Sequence, residues 1–484
     1  MSISAALNSA ISGLNASSRQ VQAISNNLAN ALTPGYGARR IELTAAPNEV
    51  GGGVRITGIT RSVNDVLLND RRLADSAVAA STTSANFFAE IERLLATPED
   101  AQSITARLAD FEGSLVSASV RPEETARLQS AVLRAGEVTQ ALNAASDRVQ
   151  VLRSDAEIQI QRDVDDANEF LRQLATLNNQ IIDSRNRGTP SAGFEDQRSL
   201  VMDQLAEIMP LRVFQRDNGA IAIYTPTGAG LLDGNPAELS FTPTSLITPQ
   251  MTQDNGLLSG LEINGRPVPT EGPNNPIAGG RLAANFDLRD RLATDTQAQL
   301  DAIARDIVER FQTPGVDPTQ GATDPGLFTD GGVFFGPANE VGLAGRIAIS
   351  DAVLPEAGGD YWRLRDGLYA TAPGAPGDAT VLNNIADALS DPGSLASGNL
   401  GGSARNVSGH VASMMSYFGQ QRLSLDQTVS FAQANQNGLI ESELALGVNS
   451  DEELQRLLLV EQAFAANARL IQTAGDMLDQ ILGI

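Results

Sequence analysis

Residues 3–31 read ISAALNSAISGLNASSRQVQAISNNLANA, and residues 451–482 read DEELQRLLLVEQAFAANARLIQTAGDMLDQIL. Both keep an apolar position every seven residues. In the first the row is Leu7, Leu14, Val21 and Leu28, flanked by Ile3, Ala10, Ser17, Ile24 and Ala31. In the second it is Leu457, Phe464, Ile471 and Leu478, with Glu461, Ala468, Gly475 and Leu482 beside it. A 3.5-residue repeat makes a narrow apolar seam, which asks for a partner helix rather than a globular core. The two seams stand at opposite ends of a 484-residue chain, so the sequence predicts ends that pair and assemble.

Moving inward, the first helix stops at Thr33-Pro34-Gly35-Tyr36-Gly37. Proline restricts the residue before it, and Pro-Gly suits the two central positions of a type II turn. The last helix opens at Ser450-Asp451-Glu452-Glu453, read as a capping box with Ser450 at the N-cap. A second heptad row runs through Val63, Leu67, Leu73, Ala77, Phe88, Ile91 and Leu95. Thr97-Pro98-Glu99-Asp100 starts a new helix, with Thr97 as N-cap, and Arg121-Pro122-Glu123-Glu124 restarts it. From there to about Arg187 the only glycine is Gly136, and the row Leu128, Ala135, Leu142, Val149, Ala156 continues through Phe170, Leu174, Leu177 and Ile181. At 1.5 Å per residue that is a rod of roughly 90 Å.

Beyond Gly188 the pattern changes. Asp217-Asn218-Gly219 and Asn264-Gly265 each sit between short apolar runs, which is a hairpin signal. Helix resumes from about Gly280 to Phe311, at 379–390 and at 404–446, while 313–378 is rich in Gly, Pro and Asp. Asp317, Asp324 and Asp330 match no EF-hand spacing, and Trp362 is expected in a core. The predicted fold is mainly α with β-rich insertions, elongated and nested. A terminal coiled-coil module takes 1–40 with 448–484. A helical rod takes 41–210 with 280–312 and 379–447. Small β-rich outer insertions take 211–279 with 313–378.

Composition removes most chemistry. Every one of the 34 basic residues is Arg, there is no Cys, and the single His is His410. Without Lys there is no Walker-type phosphate loop, Schiff base or pyridoxal attachment. Without Cys there is no thiol nucleophile, thiolate zinc site or iron–sulfur cluster. One His gives no His-pair metal motif, no Gly-x-Ser-x-Gly elbow occurs, and His410 is expected to be an ordinary structural residue. Nothing calls for a cofactor. The net charge of −24 repels phosphate backbones and anionic headgroups, so neither nucleic acid nor a membrane is an expected partner. Aromatics make up only 4% of the chain, and small aliphatic filling suits helix-on-helix packing better than a deep substrate pocket. No stretch is apolar enough to span a bilayer, and no secretory signal follows Met1.

Ser25-Asn26-Asn27-Leu28-Ala29-Asn30 with Thr33-Pro34-Gly35-Tyr36 resembles the N-terminal signature of the axial proteins of the bacterial flagellum, the family of rod, hook and hook-associated proteins. Val448–Leu454 and Glu461–Ala474, which contains Asn467 and Ala468, resemble the C-terminal partner of that signature. The Thr-Pro-Gly-Tyr turn, the long helical middle and Gly279-Gly280-Arg281-Leu282 point to the hook-associated branch. The chain departs from the pattern at Ala31-Leu32 and at Gly37.

The resemblance implies a non-enzymatic structural subunit at the hook–filament junction, exported unfolded through the flagellar type III apparatus. It implies lateral contacts with copies of itself, contacts with hook protein and a second junction protein, and a chaperone holding the C-terminal region before export. Another axial role (hook or distal rod), or a hydrolase carried on an axial scaffold, are the alternatives. The residues expected at the assembly interface are Ile3, Leu7, Leu14, Val21, Ile24, Leu28, Leu457, Phe464, Ile471, Leu478 and Leu482. The signature residues are Asn26, Asn27, Asn30, Thr33, Pro34, Gly35, Tyr36, Asn467 and Ala468.

Overall fold

The computed structural model describes residues 3–33, 35–46, 52–95, 100 and 102–483, the side chains of 481 and 482 excepted. Helix α1 (Ile3–Ala29) leads into an antiparallel hairpin of β1 (Ala38–Ala45) and β2 (Val54–Ser62). Four helices follow: α2 (Asp65–Leu95), α3 (Ile104–Val120), α4 (Thr125–Asn186) and α5 (Ala192–Ile208). Strands β3 (Arg212–Gln215), β4 (Ile221–Tyr224), β5 (Gly230–Asp233) and β6 (Asn235–Pro236) form one antiparallel sheet. Strands β7 (Leu239–Ser240), β8 (Leu261–Ile263) and β9 (Arg266–Val268) form another. Helix α6 (Arg281–Asp287) passes through a π-helical turn, Leu288–Leu292, into α7 (Ala293–Gln312). Strands β10 (Phe328–Asp330) and β11 (Ile347–Ile349) pair before α8 (Arg363–Asp366) and α9 (Thr380–Ser390). Two long helices close the chain, α10 (Val407–Leu446) and α11 (Ser450–Leu482).

Helix α4 organises the body. Its 62 residues contain no proline to break the ladder, and they extend about 93 Å at 1.5 Å per residue. Leu128, Ala135, Leu142, Val149 and Ala156 are all buried, as are Leu174 and Ile181. The N-terminal half of this face joins a core with Phe88, Phe111, Phe311, Phe328 and Phe418, where Phe111 meets Phe328 edge-on at 5.8 Å. From Ile160 to Leu174 the same face belongs to a second core with Leu205, Leu211, Ile223, Leu232, Ile263 and Phe286. One helix thus carries two cores. The β-bearing segment after α5 packs into the second, and the one around β10 and β11 packs into the first.

Both hairpin signals fold as turns. Asn264 and Gly265 take φ of 55° and 71° between β8 and β9, the left-handed pair a two-residue hairpin requires. Asn218 and Gly219 do the same between β3 and β4, at 55° and 78°.

Several expectations are corrected. The α11 N-cap is Asn449, whose side chain accepts from the amides of Asp451 and Glu452, and not Ser450. Helix α3 is capped by Ser103, accepting from Ala106 N, while Thr97, Pro98 and Glu99 lie outside the described residues. In α2 the row holds at its C-terminal end, where Phe88, Ile91 and Leu95 are buried in the core, and fails toward its start. Val63 precedes the helix, Leu67 and Leu73 are half-buried and Ala77 is exposed, whereas Leu68 and Ala74 are buried along with Arg72 and Asp75. Trp362 is half-buried under the Arg363 guanidinium, 5.5 Å from its ring, rather than in a core. Helix resumes at Arg281 not as one α-helix but through the π turn. There the Arg289 carbonyl accepts from Arg153 Nε at 3.0 Å, and the wholly buried Arg289 meets Glu157 at 2.5 Å.

Candidate assembly surface

Helices α1 and α11 pack on each other, and α1 also lies on β1 and β2. The inner face of α1 is made of small side chains: Ala5, Ala10, Ala16, Ser17 and Ala23 are buried, together with Ile24 and Asn27. Small residues let two helices approach closely. At Gly13 a Cβ atom would stand 2.7 Å from the Asn467 Nδ2 and 3.0 Å from its Cγ. Asn467, a signature residue, therefore packs against the one α1 position with no side chain to displace it.

The large residues of the predicted seams are left at its margin. Ile3, Leu7, Leu14, Val21, Leu457 and Ile471 are half-buried, as are Asn467 and Ala468. Of the predicted interface only Ile24 is buried. Leu28, Phe464 and Leu478 are exposed, and the Leu482 side chain lies outside the described residues. Around α11, Leu454, Leu458, Leu459, Leu470 and Met477 are exposed as well, Leu459 to 65%. Leu459, Ala463, Ala466, Leu470 and Met477 follow one another at spacings of four, three, four and seven. They form a second apolar stripe beside the one that meets α1. Sequence periodicity found the first stripe and passed over this one. Fully burying a large aliphatic side chain stabilises by about 1.5–3 kcal/mol. Covering the exposed halves of these α11 residues is worth on the order of 5–10 kcal/mol before association costs.

The turn after α1 explains the signature residues. Asn27 is fully buried. Its Oδ1 accepts from Tyr36 Oη and from Arg39 N, both at 2.8 Å, and its Nδ2 donates to Arg39 O at 3.0 Å. An amide with one acceptor and one donor side thus pairs with the β1 backbone as a neighbouring strand would. Tyr36 lies under the Arg39 guanidinium, 5.1 Å from the ring centre. Burial pushes its phenol above the ordinary value, partly offset by Arg39. Asn30 Nδ2 donates to Asn26 O, and Thr33 Oγ1 to Asn30 Oδ1. Asn26 and Thr33 are otherwise exposed. Gly35 takes φ of 74°, and a Cβ there would stand 2.8 Å from Leu200. Pro34 lies outside the described residues.

One residue of this region went unseen in the sequence. Asp196, on α5 just past its first turn, accepts from Gly37 N at 3.1 Å, Arg39 Nη2 at 3.2 Å and Arg61 Nε at 2.8 Å. Its partners lie 135 to 159 residues away. In the sequence nothing sets it apart from the other acids.

His410 is buried, with Nε2 2.7 Å from Gly393 O. No group of three His, Cys, Asp or Glu among the described residues is placed to hold a metal, and no described helix is long and apolar enough to cross a membrane.

Comparison with known proteins gives the same outline in three segments. Residues 88–325 match the helical domain of flagellar hook-associated protein FlgK. Residues 7–36 match the flagella basal body rod protein family, and residues 445–484 the C-terminal region of flagellar basal body rod FlgEFG proteins. Flagellar hook-associated protein 1 of Escherichia coli strain K12 is 24% identical over the whole of both chains. That of Bacillus subtilis strain 168 is 24% identical over 98% of this chain and 97% of its own. The flagellar hook junction protein FlgK from Burkholderia pseudomallei aligns in structure over 55% of this chain and 47% of its own, with 21% identity and a TM-score of 0.45. With ends matched to the axial-protein termini and a middle matched to the FlgK helical domain, the chain belongs to the flagellar hook-associated protein 1 family.

Proposed function

We propose that this chain is a structural subunit of the hook–filament junction of the extracellular flagellum, and that α1 and α11 together are the surface through which copies of it pack side by side. The observation that carries this reading is the exposed apolar set on α11, seven large side chains from Leu454 to Leu478. An isolated helix with so few buried contacts is marginal, and lateral neighbours supply the missing burial. Leu7, Leu14, Val21 and Leu28 on α1, with Leu457, Phe464 and Ile471 on α11, border the same surface. Hook protein on one side and a second junction protein on the other are the axial partners of this reading. Before export the same face of α11 has to be covered, which is the task of a chaperone at the C-terminal region. The chain then passes unfolded through the flagellar type III apparatus after a transient cytoplasmic stage. Residues 41–210, 280–312 and 379–447 form the body that this module carries, with the β-bearing segments 211–279 and 313–378 farther out.

The test is a charge placed in the uncovered stripe. Leu470→Asp leaves the contacts between α1 and α11 in place but makes lateral burial cost a desolvated carboxylate. The variant is expected to be secreted and helical yet absent from purified hook–filament junctions, leaving cells without filaments. Normal filaments and swimming in that strain would refute the reading.

A further inference from the structure

The paired terminal helices meet the body at a narrow joint. The chain crosses it twice: at Val63 and Asn64, between β2 and α2, and at Gly447 to Asn449, between α10 and α11. Helix α1 otherwise packs on α11 and on the β1–β2 hairpin, and it is β2 that reaches α5. One face of α5 receives the hairpin. Asp196, Ser199, Leu200 and Asp203 are spaced three, four and seven residues from the first of them, so they share a side. Asp196 takes the three donors from Gly37, Arg39 and Arg61. Arg61 Nη2 also donates to Gly35 O at 2.9 Å, where Leu200 lies against the turn. One and two turns farther along, Arg72 meets Ser199 and Asp203, and Arg71 meets Asp203 at 2.7 Å.

Asp196 differs from the other acids of this face in what it holds. Asp203 binds α2, which is already packed into the body along α10 and α5. Asp196 binds only the hairpin that carries α1: both strands through Arg39 and Arg61, and the turn between α1 and β1 through Gly37. The Asp196 side chain is 15% exposed and that of its partner Arg61 11%, so water competes weakly for this charge-assisted bond. Covalent links of two or three residues leave the module free to rotate, and contacts to one side of it are few. The bonds that select an orientation are those at Asp196.

We propose that Asp196 is a positioning residue that sets the angle of the paired terminal helices to the body, and so the direction in which the assembly surface faces. This deepens the reading of α1 and α11 as an assembly module and rests on it. Its test is made on the monomer, so failure to assemble cannot be mistaken for failure of the joint.

The chain has no cysteine, so a clean pair of spin labels can be attached through Ser18→Cys on α1 and Asn179→Cys on α4, both exposed. With Asp196 present, the distance between the labels is expected to form a single narrow peak. Asp196→Asn should lose that peak to a broad or second distribution, while amide protection in α4 stays unchanged. Arg61→Gln, which removes one donor from the other side, should shift the distribution in the same direction. The double variant should go no farther than Asp196→Asn, because the two residues act through one contact. An unchanged distribution in Asp196→Asn overturns the proposal. Equal loss of protection in α4 also overturns it, since Asp196 would then support the whole fold and not one joint.

Discussion

Asn27 shows how much of the terminal module rests on single polar groups. Its amide meets Tyr36 and both backbone groups of Arg39 inside a site closed to water. Leucine has nearly the same volume but would leave all three partners unpaired, at about 1–3 kcal/mol for each buried group. Asn27→Leu is therefore expected to detach β1 from the end of α1, with the Arg39 amide exchanging tens of times faster while α4 is unaffected. Asn27→Asp keeps the two accepted bonds and loses only the donated one, so it should be milder. If the Arg39 amide exchanged as slowly in Asn27→Leu as in the parent, the turn would be held by something else. The motif flagged Asn27 and Tyr36 in the sequence, but only the geometry says why the residue is an amide. Gly13 and Asp196 left no signal, because what makes them special lies 454 residues away at Asn467 for one and 159 away at Gly37 for the other.

Among the elements, α4 and α11 are opposites. Helix α4 buries an unbroken row from Leu128 to Ile181 between two cores, whereas among the described side chains of α11 only Glu453 and Ala474 are buried. Protection against hydrogen exchange follows burial and packing. In the monomer, amides in the middle of α4 should exchange near the limit set by global unfolding. Those of α1 and of α11 beyond its first turns should exchange orders of magnitude faster, then slow on assembly. Equal protection in α4 and α11 of the monomer would contradict lattice-supplied order. Helix α4 was legible because its row is long, regular and free of helix breakers. Helix α2 was legible as a helix and at its C-terminal end, where Phe88, Ile91 and Leu95 are buried, but not in its first half, where the residues it buries include Arg72, Asp75 and Ser76. Their burial is made possible by partners on α5, α10 and the loop before α6, which no hydrophobic pattern reveals. The hairpins were legible from Asn-Gly and Asp-Asn-Gly, but their shared attachment to one half of α4, in the core that runs from Ile160 to Leu174, was not.

At the scale of the whole molecule, charge works against folding in two ways. A net charge of −24 is self-repelling in any compact state. Burial also pushes the carboxyls of Asp75, Asp163 and Asp301 above their ordinary value of 3.8, despite bonds that pull each of them back. For Asp301 those bonds come from the amides of Ala344 and Gly342 and from Gln297 Nε2. An acid whose pKa is higher folded than unfolded binds its proton more tightly in the native state. Its contribution is therefore fully present below 3.8 and is lost as pH rises through the folded value;. Glu195 runs the other way. Burial raises it, but Ser191 and Arg185 outweigh that and hold it low, so its contribution is lost on acidification below its ordinary 4.5. Asp295 is raised as well, while Glu90, Glu124, Glu169, Asp233 and Asp378 are lowered like Glu195. The lowered acids lose their contribution only below their ordinary 3.8 or 4.5, so above that range the raised acids and the relief of repulsion set the sign, and the melting temperature should rise as pH falls from about 7 toward about 5. Asp301→Asn cannot ionise, and it turns one acceptor into a donor facing a backbone N–H, so it should melt lower at every pH. The gap between the parent and this variant should widen toward acid, because only the parent gains from protonation. A gap that narrows as pH falls would mean that the ionised Asp301, held by its three donors, is the stabilising form, and the sign of the burial argument would be reversed.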